Sequence, residues 1–131
     1  MKVPVLKLGK YLIASVQGSL TDADLVELSS ELSEKVGRYR ARGVVIDVTT
    51  LDVMDSFATR MLRDIAQMAR LRGAETVIAG IQPDVAFAMV QLGLGLEGVS
   101  TCLDLEEGLA YLEKRLKAGN RDRGNSDTHS L

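Results

Sequence analysis

Two hydrophobic periods alternate along this chain. The first segments, Val3 to Leu8 and Tyr11 to Val16, are rich in β-formers and are separated by Gly9-Lys10. They predict an opening β-hairpin, with Pro4 tolerable at a strand start or on an edge. Thr21-Asp22-Ala23-Asp24 then supplies a helix start, a Thr cap with acids in the first turn. Leu25, Leu28, Leu32, Val36 and Tyr39 recur at helical spacing and form one apolar stripe. Gly43 stops that helix and leads into a continuous apolar run, Val44 to Val48, which reads as a buried strand.

The pattern then repeats. A second helix begins at Phe57, with Ser56 as its cap. Its expected core face is Ala58, Met61, Leu62, Ile65, Met68 and Ala69, and its polar face Thr59, Arg60, Arg63, Gln67 and Arg70. Gly73 ends it, and Thr76 to Ile81 reads as another buried strand. Gln82-Pro83-Asp84 opens a short helix with core positions Val85, Ala88, Met89 and Leu92. A short strand is expected around Val99 to Leu103. Asp104 and Glu107 then make a capping-box-like start for a last helix, packed through Leu105, Leu109, Leu112 and Leu116. From Ala118 the chain turns polar and loses periodicity, which predicts a domain over 1–117 and a disordered tail over 118–131. The order predicts an α/β single domain, an N-terminal β-hairpin leading into a mixed sheet with alternating helices and right-handed crossovers.

Composition narrows the function classes. The 131 residues suffice for one domain with its own core. A net charge of −2 and the absence of Trp give no support to a nucleic-acid partner, and the charge none to an anionic membrane. No apolar run reaches spanning length and no signal-peptide h-region opens the chain, so a soluble cytoplasmic protein is expected. Cys102 is the single cysteine and reads as a buried strand residue, which excludes an internal disulfide. The single histidine, His129, falls in the polar tail, so it is a poor general base. Gly93-x-Gly95-x-x-Gly98 matches a dinucleotide fingerprint by letter, but it follows a helix and precedes a strand, the reverse of what phosphate binding requires. No cofactor is implied and no enzyme is expected.

The candidate chemistry lies in Asp55-Ser56-Phe57, between the carboxyl end of a strand and the start of a helix. Free N–H donors and the positive end of the helix dipole favour a negative oxygen there. No histidine, metal cluster or glycine-rich phosphate loop lies near enough in sequence to make Ser56 a nucleophile. A reachable serine without catalytic partners suggests a residue that is acted upon, and an ordinary helix cap is the alternative. Asp47, Asp52 and Asp55 surround the same place. A Mg²⁺ site is conceivable from hard oxygen ligands, but connector polarity and helix-start electrostatics account for them, and no metal is expected.

The segment Val45-Ile46-Asp47-Val48-Thr49-Thr50-Leu51-Asp52-Val53-Met54-Asp55-Ser56 resembles the signature of the STAS family, the anti-sigma-factor-antagonist domains. The resemblance runs from about Val3 to about Leu116. It implies that Ser56 is the phosphoacceptor of a cognate kinase, with Asp55, Phe57, Thr59 and Arg60 as its recognition surroundings. Free antagonists usually continue Asp-Ser with Ser and Gly, where this chain has Phe57 and Ala58. Asp-Ser-Phe is more similar to the RsbS-like stressosome scaffold branch. That branch implies co-assembly with RsbR-type STAS proteins in a large homo- or hetero-oligomer. It also implies sequestration of an RsbT-type serine/threonine kinase, released on phosphorylation. A free anti-anti-sigma factor and a small α/β ligand-binding domain stand as the alternatives.

Overall fold

The computed structural model describes residues 3–18, 20–96 and 98–129, and of 119–129 the backbone alone. The elements run β1 (Val5–Leu8), β2 (Tyr11–Ser15), α1 (Asp22–Tyr39), β3 (Gly43–Asp47), α2 (Ser56–Leu71), β4 (Glu75–Ala79), α3 (Pro83–Gln91), β5 (Ser100–Cys102) and α4 (Leu105–His129). The five strands form one sheet in sequential order. The hairpin pairs β1 with β2 antiparallel, Val5 opposite Ala14 and Leu8 opposite Tyr11. The remaining pairs are parallel, each joined through a helix. This is the mixed sheet that the alternating periods predict.

Side-chain alternation divides the core in two. Leu12, Ala14, Val44, Ile46 and Ile78 face α1, α2 and α3 and pack with Leu28, Leu32, Leu62, Ile65 and Val85. Ile13, Val45, Val77 and Ala79 point the other way, onto Leu112 of α4. Both faces of β3 and β4 are therefore covered, which is why those strands read as unbroken apolar runs. Gly43 is required where α4 crosses the sheet: a Cβ there would lie 2.8 Å from Leu112 Cδ1 and 2.9 Å from the Tyr11 ring.

Local chemistry sets the helix ends. Thr21 and Asp24 form a reciprocal capping box on α1, with both bonds at 3.1 Å. The Thr21 N–H is the leading reason that the Asp24 carboxyl sits below its usual range. Asp104 Oδ1 accepts from the Glu107 N–H at 2.8 Å at the start of α4.

Several sequence expectations change. Tyr39 closes the α1 stripe by spacing but is 41% exposed, its ring lying 5.6 Å from the Lys7 ammonium of β1. Leu92, expected in the core, is 70% exposed, and Ala88 is also exposed. The buried contacts of α3 are Val85 and Met89. Cys102 is half-buried rather than enclosed, and burial, then the negative Glu107 and Asp104, push its thiol pKa up. The helix α4 continues through 118–129, where polarity alone suggested disorder. No proline interrupts that stretch, so helical hydrogen bonding can propagate beyond the packed turns. Ser130 and Leu131 of the expected tail lie outside the described residues.

Candidate functional site

The site is the connection between β3 and α2, at the carboxyl edge of the parallel strands. Asp47 ends β3 and immediately turns on its own loop. Its Oδ1 accepts from the Thr49 N–H at 3.0 Å and from the Thr49 hydroxyl at 2.6 Å. This Asx-type bonding gives the chain a local alternative to continuing the strand. Thr50 Oγ1 donates to Val16 O at 2.9 Å, tying the loop to the end of β2. From the next connection, Gln82 Nε2 donates to Thr49 O at 2.7 Å. Leu51 and Met54 are buried beneath the loop, while Val53 is exposed. The loop is therefore pinned by polar bonds along its length and by two apolar anchors.

Gly80 closes this arrangement from β4. Its φ of +82° lies in the region that favours glycine, and a Cβ would strike the Thr49 hydroxyl. Gln82, Thr50 and Gly80 drew no attention as site residues in the sequence. The available signal was weak: a Gly and a Gln directly after a buried strand.

The start of α2 corrects the sequence reading. Asp55, not Ser56, is the N-cap. Its backbone is extended, and its Oδ1 accepts from the Ala58 N–H at 2.8 Å. Ser56 is the first helical residue. It is exposed, and among the described residues its hydroxyl has no hydrogen-bond partner. Both residues cap helices well, so composition alone did not choose between them. The carboxylate three residues before Ala58 wins the free N–H because it reaches it as a charged acceptor.

Thr59 also departs from expectation. It was placed on the polar face, yet it is 1% exposed. Its hydroxyl donates to Asp55 O at 2.9 Å, a back-bond one turn down the helix. Satisfied in this way, a small β-branched side chain joins the core. Thr59 therefore supports the cap rather than presenting itself to a partner. Phe57 is half-buried against the core, and Arg60 is exposed one helical turn beyond Ser56. The structure thus brings Asp55, Ser56, Phe57 and Arg60 to one surface and removes Thr59 from it.

Beside this surface lies a hollow of about 370 Å³ between the β2–α1 connection, the start of α1 and the β3–α2 loop. Leu25, Leu51 and Leu62 make its floor, and Asp22, Asp52 and Asp55 its rim. Among the described residues no three acidic, histidine or cysteine side chains gather as a metal-ligand group. Asp47 and Asp55 are instead bonded to their own backbone surroundings. No helix among the described residues is long and apolar enough to cross a membrane.

A family model for the STAS domain matches residues 2–108, which include every strand and the whole β3–α2 connection. The chain belongs to the STAS family. Among solved structures, this STAS domain is similar to a serine-to-glutamate variant of RsbS from Moorella thermoacetica. The identity is 33%, the TM-score 0.77, and the match covers 89% of this chain and 99% of that one. It is also similar to a chain of the stressosome, described as a signal integration and transduction hub. There the identity is 35%, the TM-score 0.74, and the coverage 86% and 98%. Among curated proteins it is 29% identical over 92 residues to the RsbT co-antagonist protein RsbRA of Bacillus subtilis, covering 70% of this chain. The match spans only 34% of that co-antagonist's length. The relatives of this STAS domain are thus stressosome components and co-antagonists, consistent in fold with an α/β scaffold of signalling complexes.

Proposed function

We propose that this STAS domain is a non-catalytic scaffold of a stressosome-type complex, controlled by phosphorylation of Ser56. It holds an RsbT-type serine/threonine kinase while Ser56 is unmodified and releases it afterwards, and it assembles with RsbR-type STAS proteins. The observation that carries this reading is the separation of tasks at the start of α2. Asp55 does the capping, which leaves the exposed Ser56 hydroxyl available as an acceptor. Similarity to RsbS and to a stressosome chain over nearly their whole lengths supports the scaffold assignment.

Transfer of the γ-phosphoryl group of ATP to Ser56 Oγ would release ADP and the hydroxyl proton. It would add about 1.5 to 2 negative charges. The first-turn N–H groups and the helix dipole accommodate that charge locally. Arg60, four residues on, is within the reach expected of an i,i+4 pair. Modification would therefore leave the fold intact and act on the surface. The phosphate would join Asp55 and Asp52, making repulsive a patch that a kinase had bound unmodified.

The test is phosphosite mapping after incubation with an RsbT-type kinase and ATP. One phosphate is expected at Ser56, and none on Ser56→Ala, which should keep the kinase bound. Ser56→Asp should weaken kinase capture by about tenfold, or about 1.4 kcal/mol. Equal kinase affinity for the unmodified, phosphorylated and Ser56→Asp proteins would overturn the switch. A chain that engages an anti-sigma kinase but ignores RsbR-type proteins would instead be a free antagonist.

A further inference from the structure

The domain has a modest net charge but two opposed charged poles. Because β2 to β5 run parallel, every β-to-α connection emerges at one edge of the sheet. Those connections, 16–24, 47–56, 80–84 and 103–107, contain no Lys or Arg. They expose Asp22, Asp52, Asp55, Asp84 and Asp104. The opposite edge receives the β1–β2 turn, the ends of α1 and α2, and the last packed turns of α4. It carries Lys10, Arg40, Arg42, Arg70, Arg72 and Arg115, against the acids Glu75 and Glu113. A hollow of about 400 Å³ there is lined by Arg42, Arg70 and Arg115. Its described acid, Glu75, is already engaged by Arg70 at 4.0 Å and Arg115 at 3.6 Å.

Helix dipoles explain part of this segregation, such as Asp55 at the start of α2 and Arg70 in its last turn. They account for Arg40 as well, the C-cap of α1, but not for Arg42, which lies beyond the helix end. Arg40 has a φ of +50° and is the one non-glycine residue with positive φ among those described. That position favours Gly or Asn, so an exposed arginine there is held against its backbone preference. Two exposed apolar side chains, Tyr39 and Leu71, stand beside the arginines. Charge flanked by apolar surface is suited to protein contact rather than to hydration alone.

We propose that the basic pole is a docking surface for the acidic pole of a second copy of this chain. This gives a heterologous, head-to-tail contact. It builds on the assembly reading above by naming the surfaces. The acidic pole of the same molecule supplies the complementary charge, and a contact of this kind extends from copy to copy.

Sedimentation velocity of the full chain tests the proposal across ionic strengths from about 0.01 M to about 1 M, where the screening length falls from about 30 Å to about 3 Å. The wild-type protein should associate at low salt and dissociate at high salt. Lys10→Glu/Arg40→Glu and Asp52→Lys/Asp84→Lys should each associate more weakly than wild type at low salt, because two reversals cancel most of the charge of one pole in each. Mixed in equal amounts, the intact acidic pole of one and the intact basic pole of the other should restore association at low salt. Circular dichroism melts establish that each variant is folded. Should a reversal variant not fold, the neutral Lys10→Gln/Arg40→Gln and Asp52→Asn/Asp84→Asn pairs take its place, each expected to dissociate at lower salt than wild type. A monomeric wild type at low salt, association unchanged in the folded variants, or a mixture of reversal variants that does not pair would overturn the proposal. Pairing with an acidic peptide or nucleic acid alone would do the same. Phosphorylation of Ser56 is mapped on the Lys10→Glu/Arg40→Glu variant, whose acidic pole is untouched, so loss of the docking proposal leaves the switch standing, and the reverse.

Discussion

The division of labour between Asp55 and Ser56 can be measured directly. Asp55→Ala removes the Oδ1 acceptor that holds the Ala58 N–H at 2.8 Å. It also removes a negative charge from the positive end of α2. Loss of an N-cap costs about 0.5–2 kcal/mol, and the dipole contribution is about 0.3–1 kcal/mol of the same effect. The expected loss is therefore about 1–2 kcal/mol. For a domain of this size that is a fall in melting temperature of about 3–8 °C. Ser56→Ala leaves the cap bond in place and removes a hydroxyl that bonds to nothing described, so its cost should stay within about 0.5 kcal/mol. Asp55→Asn should retain most of the stability, because Asn caps as well as Asp. Urea denaturation, with midpoints compared at constant m-value, separates these outcomes. If Ser56→Ala costs as much as Asp55→Ala, the serine hydroxyl is the cap and the assignment of Ser56 as an unencumbered acceptor is wrong. The comparison also serves the functional test: a thermodynamically silent Ser56→Ala reports on signalling alone.

Three further outcomes follow from the packing. Leu112→Ala empties the α4 side of the sheet, where Leu112 is fully buried, and should cost about 2–5 kcal/mol by thermal or urea unfolding. Burial first, then the 2.8 Å hydrogen bond to Glu113 and its charge, push the Tyr11 hydroxyl up to about 12. Its contribution to stability is therefore complete below about pH 10 and lost as pH rises toward 12. Ultraviolet titration of Glu113→Gln should show a tyrosine titrating earlier, and an unmoved titration would refute the contact. Removal of residues 120–131 should leave the melting temperature within about 2 °C, because a polar segment offers little to bury. A larger fall would show that the end of α4 is part of the folded unit.

The sequence alone determined the order and type of the elements, since strand and helix periods differ and Gly, Pro and capping residues mark where one gives way to the other. It also determined the neighbourhood of the site: an apolar strand, a polar connector and Asp-Ser at a helix start lie within one short stretch. Three matters required the tertiary structure. Asp55 and Ser56 both cap well, so only the position of the Ala58 N–H assigned the cap. Thr59 looked polar, but a carbonyl one turn back satisfied its hydroxyl and allowed it into the core. The braces on the loop, Gln82 and Thr50, bond across 33 and 34 residues of chain. Spacing along a chain reports a residue's own helix or strand, whereas these bonds depend on which connections the sheet brings to the same edge. The charged poles have the same origin. Each acidic or basic stretch is short and unexceptional in sequence, and parallel pairing of β2 to β5 gathers the β-to-α connections, which hold no Lys or Arg, at one end and most of the helix-end arginines at the other.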